Sequence, residues 1–127
     1  MKEKQLLTNT EWEVCECLWE ESPLTMTQIA ARLTERTGWT KSTGETLVRR
    51  MADKGLLHWE QGTKAKLYSP TVAREDAVVQ ETRGFLRKVF GGSVGLLVSS
   101  LVDRSSLTRA DIDELYAILD KAEEESK

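Results

Sequence analysis

The chain has 127 residues, 31% of them charged and 39% hydrophobic, with a formal net charge of −3. That length holds one domain or two very small ones, and the composition is that of an ordinary globular protein. The mild acidic balance excludes a generally sticky nucleic-acid binder. No apolar run approaches the ~20 residues that cross a bilayer, and Cys15 and Cys17 are too close to staple a fold.

The N-terminus turns acidic where a signal peptide needs its apolar region, so a cytoplasmic protein without membrane insertion is expected. Charge is unevenly spread. Residues 1–31 hold two lysines against six glutamates, residues 32–66 hold eight basic residues against four acidic, and residues 67–127 hold eight against eleven. A positive middle segment fits a local phosphate-facing surface on a protein that is not basic as a whole.

The first helix is expected to begin at Thr8, whose hydroxyl forms a capping box with Glu11. Trp12, Val14, Cys15, Leu18 and Trp19 share a broad apolar face, with Glu13, Glu16 and Glu20 opposite. The helix stops before Ser22-Pro23. Cys15 reads as a small core residue and Cys17 as lying at the edge of the polar face. Positions i and i+2 of a helix point apart, so the two are not expected to share a metal.

A second capping box, Thr25 with Gln28, opens the next helix. Ile29, Ala30, Leu33 and Met26 form its buried stripe, and Gly38 supplies the left-handed C-cap after Thr37. A tight connection, Gly38 to Lys41, leads into a helix over Thr40–Lys54, closed by Gly55.

Wound at about 100° per residue, that helix splits cleanly. Gly44, Leu47, Val48, Met51 and Ala52 fall on one arc, and Ser42, Thr43, Glu45, Thr46, Arg49, Arg50 and Asp53 on the other. The apolar arc anchors the helix. The other carries hydroxyls near its N-terminus and arginines a turn later, the equipment of a helix that enters a DNA major groove. Two helices joined by a short Gly-containing turn make a helix-turn-helix.

The period then changes. Leu56–Glu60 reads as a strand, Gln61–Ala65 as a turn and Lys66–Pro70 as a returning strand. A hairpin directly after a helix-turn-helix is the order of a winged helix. Lys64 at the tip and Lys66 beside it are within reach of a phosphate backbone. His58, the only histidine, reads as a strand surface position without a role.

From Thr71 on the chain reads as helical. Ala77, Val78, Phe85, Leu86, Val89 and Phe90 recur at helix spacing up to a break at Gly91-Gly92. Val94, Leu97, Val98, Leu101 and Val102 mark a short apolar helix. Thr108 with Asp111 starts another, striped by Ile112, Leu115, Tyr116, Leu119 and Ala122, with Glu123-Glu124-Glu125 as an acidic tail beyond it. Three helices with this much apolar surface and no sheet to cover them call for a second copy of the chain.

The expected fold is therefore mainly α: a winged helix-turn-helix over residues 1–71, with three helices and a hairpin wing, then a three-helix dimerisation region over residues 72–127. A single histidine, no nucleophile motif, no phosphate-binding loop and no metal-ligand spacing point away from an enzyme. No catalytic residue, cofactor or metal is expected.

The residues Glu11-Trp12-Glu13-Val14, Trp19, Gly38-Trp39, Thr43, Thr46-Leu47, Arg50-Met51, Lys54-Gly55, Tyr68 and Gly91-Gly92 fall in the order and spacing of the penicillinase-repressor (BlaI/MecI/CopY-type) family. Leu107-Thr108 with Ile112-Asp113-Glu114-Leu115 resembles that family's dimerisation end. The resemblance spans roughly residues 6–120. It implies a homodimeric repressor that binds palindromic operators in double-stranded DNA ahead of resistance genes. In the β-lactam branch it also implies release by proteolysis within the dimerisation region and a membrane sensor protease as a partner.

By this resemblance Thr43 and Thr46 match recognition-helix threonines and Arg50 a family arginine, which here borders the apolar arc and could instead serve an intramolecular ion pair. Lys41, Ser42 and Arg49 join them from helix geometry, with Lys64 and Lys66 on the wing. The cut aligns with Ser100-Leu101, where other members carry Asn-Phe; packing in the dimer core is the other reading of these two residues. The copper branch uses Cys-x-Cys pairs near the C-terminus, and this C-terminus has no cysteine. Glu45 stands where some members carry a basic residue. The competing readings are a repressor released by a metal or small ligand, and a dimeric winged-helix protein-interaction module.

Overall fold

The computed structural model describes residues 7–104 and 106–126. In chain order they form α1 (Asn9–Glu20), β1 (Leu24–Thr25), α2 (Met26–Thr37), α3 (Lys41–Asp53), β2 (Leu57–Gln61), β3 (Lys66–Pro70), α4 (Arg74–Phe90), α5 (Val94–Asp103) and α6 (Arg109–Glu125). Contacts divide the chain into two compact units, one up to Thr82 and one from Arg83 on, with the boundary inside α4.

Local chemistry sets the helix ends as the sequence reading expects. Thr8 with Glu11, Thr25 with Gln28 and Thr108 with Asp111 all form reciprocal capping boxes. Thr40 caps α3 by accepting from the Thr43 N–H at 3.2 Å. Gly38, at φ 82°, ends α2 in the left-handed conformation that a side chain disfavours.

The first unit is a small core wrapped by three helices and a three-stranded antiparallel sheet in the order β1-β3-β2. Val14, Cys15, Cys17 and Leu18 from α1, Ile29 and Leu33 from α2, and Val48 and Met51 from α3 are buried together with Leu24, Leu57 and Tyr68 from the strands. β2 and β3 pair with Trp59 opposite Tyr68 and Gln61 opposite Lys66. β1 pairs with β3 through Leu24 and Tyr68. That two-residue strand has no sequence signature of its own, because it is simply the extended N-cap of α2. The helix pair of the helix-turn-helix approaches closely: a Cβ on Gly44 would lie 3.3 Å from both Cα and Cβ of Ala30.

Two expectations are corrected. Cys17 is not at a polar edge; it is 1% exposed, because Arg36 of α2 reaches across α1 to Glu13 and Glu20 and closes that side of the helix. The acidic run Glu123–Glu125 is not a tail beyond the last helix but its final turn. Glu11, read only as a capping residue, is also buried.

In the second unit, α5 and α6 bury no residue completely. Leu97 and Val98 of α5 and Ile112 and Leu115 of α6 are half-buried. Val94, Leu96 and Val102 of α5 and Tyr116, Ile118 and Leu119 of α6 are more than half exposed. Between the two helices lies an open apolar hollow of about 290 Å³, lined by Val98, Val102, Leu107, Ile112, Leu115, Tyr116 and Leu119. Among the described residues no single helix is long and apolar enough to cross a membrane.

Candidate nucleic-acid interface

The turn before α3 is built from threonine hydroxyls. Thr34 Oγ1 donates to the Trp39 carbonyl at 2.7 Å, and the Trp39 N–H donates to Thr37 Oγ1 at 3.1 Å. These bonds hold Trp39 half-buried at the root of the helix. The Thr40 hydroxyl donates in turn to Thr43 Oγ1 at 3.0 Å, which leaves the Thr43 oxygen oriented by its neighbour. At the other end Gly55, at φ 82°, turns the chain into the wing. The Thr71 hydroxyl ties that turn by donating to the Gly55 and Leu56 carbonyls, each at 2.9 Å.

Ser42, Thr43, Thr46 and Arg50 come together along one side of α3. With Trp39 and Leu47, and with Thr10 from the first turn of α1, they line an open hollow of about 380 Å³. Arg50 makes no ion pair among the described residues. Thr10 and Trp39 were not singled out as site residues by sequence reasoning. Thr10 is exposed and carries no pattern, and only the packing of α1 beside α3 brings it here. Lys41 and Arg49 lie outside the hollow, and both are exposed. Lys41 Nζ stands 4.0 Å from Glu45 Oε2, one helical turn along.

The wing carries the remaining cations. Lys64 is exposed in the turn between β2 and β3. Lys66 lies with its Nζ 4.0 Å from the centroid of the Trp59 ring, a cation–π contact that holds the ammonium at the wing surface.

The structure sorts the eight cations of residues 32–66 into two groups. Arg32 pairs with Glu21, Arg36 with Glu13 and Glu20, and Lys54 with Glu11, so α1 carboxylates and their C-terminal neighbour neutralise these three. Among the described residues Arg49, Arg50, Lys64 and Lys66 make no ion pair, and Lys41 only the long 4.0 Å one with Glu45; these five stand on α3 and the wing. The positive segment of the sequence is thereby concentrated onto one helix and one hairpin, the two elements that a winged helix sets against DNA. Among the described residues no group of His, Cys, Asp and Glu side chains is arranged to hold a metal ion.

A helix-turn-helix with a hairpin wing beside its second helix defines a winged-helix protein. Within that class, residues 7–121 match the family described as Penicillinase repressor. The chain belongs to the penicillinase repressor family, a family of transcriptional repressors. It is 24% identical over 127 residues to the penicillinase repressor of Bacillus licheniformis, covering 100% of this chain and 99% of that protein. It is 27% identical over 115 residues to the methicillin resistance regulatory protein MecI of Staphylococcus aureus (strain N315), covering 91% of this chain and 94% of that one. Among solved structures, the monomeric form of Bacillus licheniformis BlaI in complex with the blaP half-operator superposes with a TM-score of 0.52. That pair shares 24% identity and covers 60% of this chain and 93% of the other. The likeness establishes the winged-helix fold of the first unit.

Proposed function

We propose that the protein is a homodimeric transcriptional repressor that binds a palindromic operator in promoter DNA, of the kind that controls β-lactam-resistance genes. The observation that carries this reading is the sorting of cations: α3 and the wing keep exposed positive charge while the other basic residues of the segment are paired internally. The half-operator complex of the Bacillus licheniformis relative supports it.

In this reading each α3 enters a major groove with Ser42, Thr43, Thr46 and Arg49 toward base edges and Lys41 and Arg50 toward phosphates or bases at the margins. Lys64 and Lys66 hold the backbone beside the groove. The apolar faces of α5 and α6 cover one another across the dimer, which sets the two α3 helices about 34 Å or a multiple of it apart. Residues 1–71 then carry DNA binding and residues 72–127 dimerisation.

Proteolysis at Ser100-Leu101 relieves repression. In the single chain both residues are exposed on α5, and a cut between them separates α6 from the DNA-binding unit along the chain. Each half-site alone then binds too weakly, because the effective concentration supplied by the dimer is lost. A membrane sensor protease is the partner this mechanism requires.

Footprinting on the DNA upstream of the protein's own gene tests the reading. Protection of a two-fold symmetric site that weakens steeply with salt is expected. No protection at low salt sinks it and leaves the protein-interaction module standing. An intact chain mass in fully induced cells rejects the proteolytic step and favours release by a ligand or metal.

A further inference from the structure

Glu45 is the one acidic side chain in the middle of the outward arc of α3. It is half-buried, with its side chain 28% exposed, and its single ionic neighbour among the described residues is Lys41 at 4.0 Å, too long for a hydrogen bond. No hydrogen bond to its carboxylate forms among the described residues. Arg49 lies one turn further along the same face, so the order on that face is cation, carboxylate, cation at four-residue spacing.

The pair with Lys41 contributes little to the helix, because exposed ion pairs of this spacing are weak. The cost of keeping a carboxylate there is larger, since it faces a polyanion whenever α3 docks. Lys41 and Arg49 lower that cost by standing on either side of it, but a partner is still required inside the groove. The major groove offers mainly acceptors: N7 and O6 of guanine, N7 of adenine and O4 of thymine. A carboxylate accepts hydrogen bonds and donates none, so each of these repels it. The cytosine amino group is the donor that stands without an adjoining acceptor on its own base, and the adenine amino group is flanked by N7.

We infer that Glu45 reads a cytosine: its carboxylate accepts from the N4 amino group at one fixed position of each half-site, with Lys41 bridging to the flanking phosphate and Arg49 to the neighbouring base edge. Glu45 thereby makes this chain select a C·G pair where a basic residue at that helical position would select guanine. This inference rests on the DNA-binding role proposed for α3.

The test is selection from a pool of randomised duplexes by the full-length protein, by Glu45→Gln and by Glu45→Ala. Wild type is expected to enrich cytosine at one position of each half-site and to lose about tenfold in affinity when that pair is changed. In Glu45→Gln the preference at that position is expected to move to adenine, because a carboxamide both donates to N7 and accepts from N6. Glu45→Ala is expected to show no preference there while binding the rest of the site. The same base enriched by all three proteins overturns the assignment and leaves the repressor reading intact. A wild-type protein that enriches no sequence overturns both. Neither substitution touches a buried contact, and helical circular dichroism of each variant checks its fold.

Discussion

Lys54, the C-cap of α3, forms an ion pair with Glu11 in the first turn of α1, and that carboxylate is only 4% exposed. The same side chain accepts from the Thr8 N–H at 2.9 Å, so one carboxylate caps α1 and fixes the far end of the helix proposed to read DNA. Burial alone raises the Glu11 pKa. The hydrogen bonds from Lys54 and from the Thr8 backbone, with the charge of Lys54, outweigh it and hold the carboxyl below its ordinary value of 4.5.

A carboxyl with a depressed folded-state pKa binds its proton more readily in the unfolded chain. Its contribution to stability is therefore complete above the ordinary value of 4.5 and is lost as the pH falls through the lower, folded-state value. Lys54→Met leaves Glu11 buried without its cation and is expected to cost roughly 3 kcal/mol at neutral pH. Glu11→Gln keeps the cap and is expected to cost about 1 kcal/mol. Urea unfolding at about pH 7 and about pH 3 checks both, and the wild-type advantage over Glu11→Gln should shrink at the lower pH.

Burial pushes the Cys15 thiol up from 9.0 to about 12, with the nearby Glu11 and Glu16 charges adding to the effect, and burial also raises Cys17. Thiolate is the reactive form, so neither cysteine is expected to react with a disulfide reagent at about pH 8 until the protein unfolds. A folded-state pKa raised in this way also sets an alkaline limit. Stability from Cys15 is full below the ordinary value of 9.0 and declines as the pH climbs toward about 12. Thiol counting in native and denaturing buffer is the measurement. Rapid labelling in native buffer contradicts the burial.

Phosphate contacts and base contacts separate in their salt dependence. Lys64→Ala is expected to weaken binding to all duplexes alike and to reduce the slope of log K against log salt by about 1. Thr46→Ala is expected to relax the preference at one operator position by ~1–3 kcal/mol with the slope unchanged. Arg49→Glu is expected to abolish binding and to leave the oligomeric state as it was. Fluorescence anisotropy across a salt series distinguishes the three.

Leu119 is 62% exposed on α6, at the margin of the apolar hollow it shares with Tyr116. If α5 and α6 form the proposed dimer, Leu119→Asp is expected to convert it to a monomer in sedimentation equilibrium, since a charge buried at an apolar interface has no partner. Affinity for a full two-fold site should then fall by about 10²-fold or more, while affinity for an isolated half-site is unchanged. A Leu119→Asp protein that remains dimeric places the interface elsewhere.

Local rules made most of the fold legible. A threonine three residues before a Glu, Gln or Asp marked the starts of α1, α2 and α6, and Gly38, Gly55 and Gly91-Gly92 marked stops or turns. These devices act within a few residues, so a single sequence displays them. The outward arc of α3 was equally legible, because helical period alone decides which residues share a face.

The charges were not legible in the same way. Eight cations stood in residues 32–66, and nothing local distinguished Arg36 from Arg49. Arg36 pairs with Glu13 and Glu20, which lie 23 and 16 residues away in sequence, and Lys54 pairs with Glu11, which lies 43 away. Cys17 was misplaced for the same reason, since the side chains that cover it come from α2. Local patterns in the sequence mark the six helices, the two hairpin strands and the face of α3 that carries hydroxyls and arginines, but neither β1 nor the last turn of α6. Tertiary structure alone decided which charges are left over for a partner, because pairing and burial depend on elements far apart in the chain meeting across one small core.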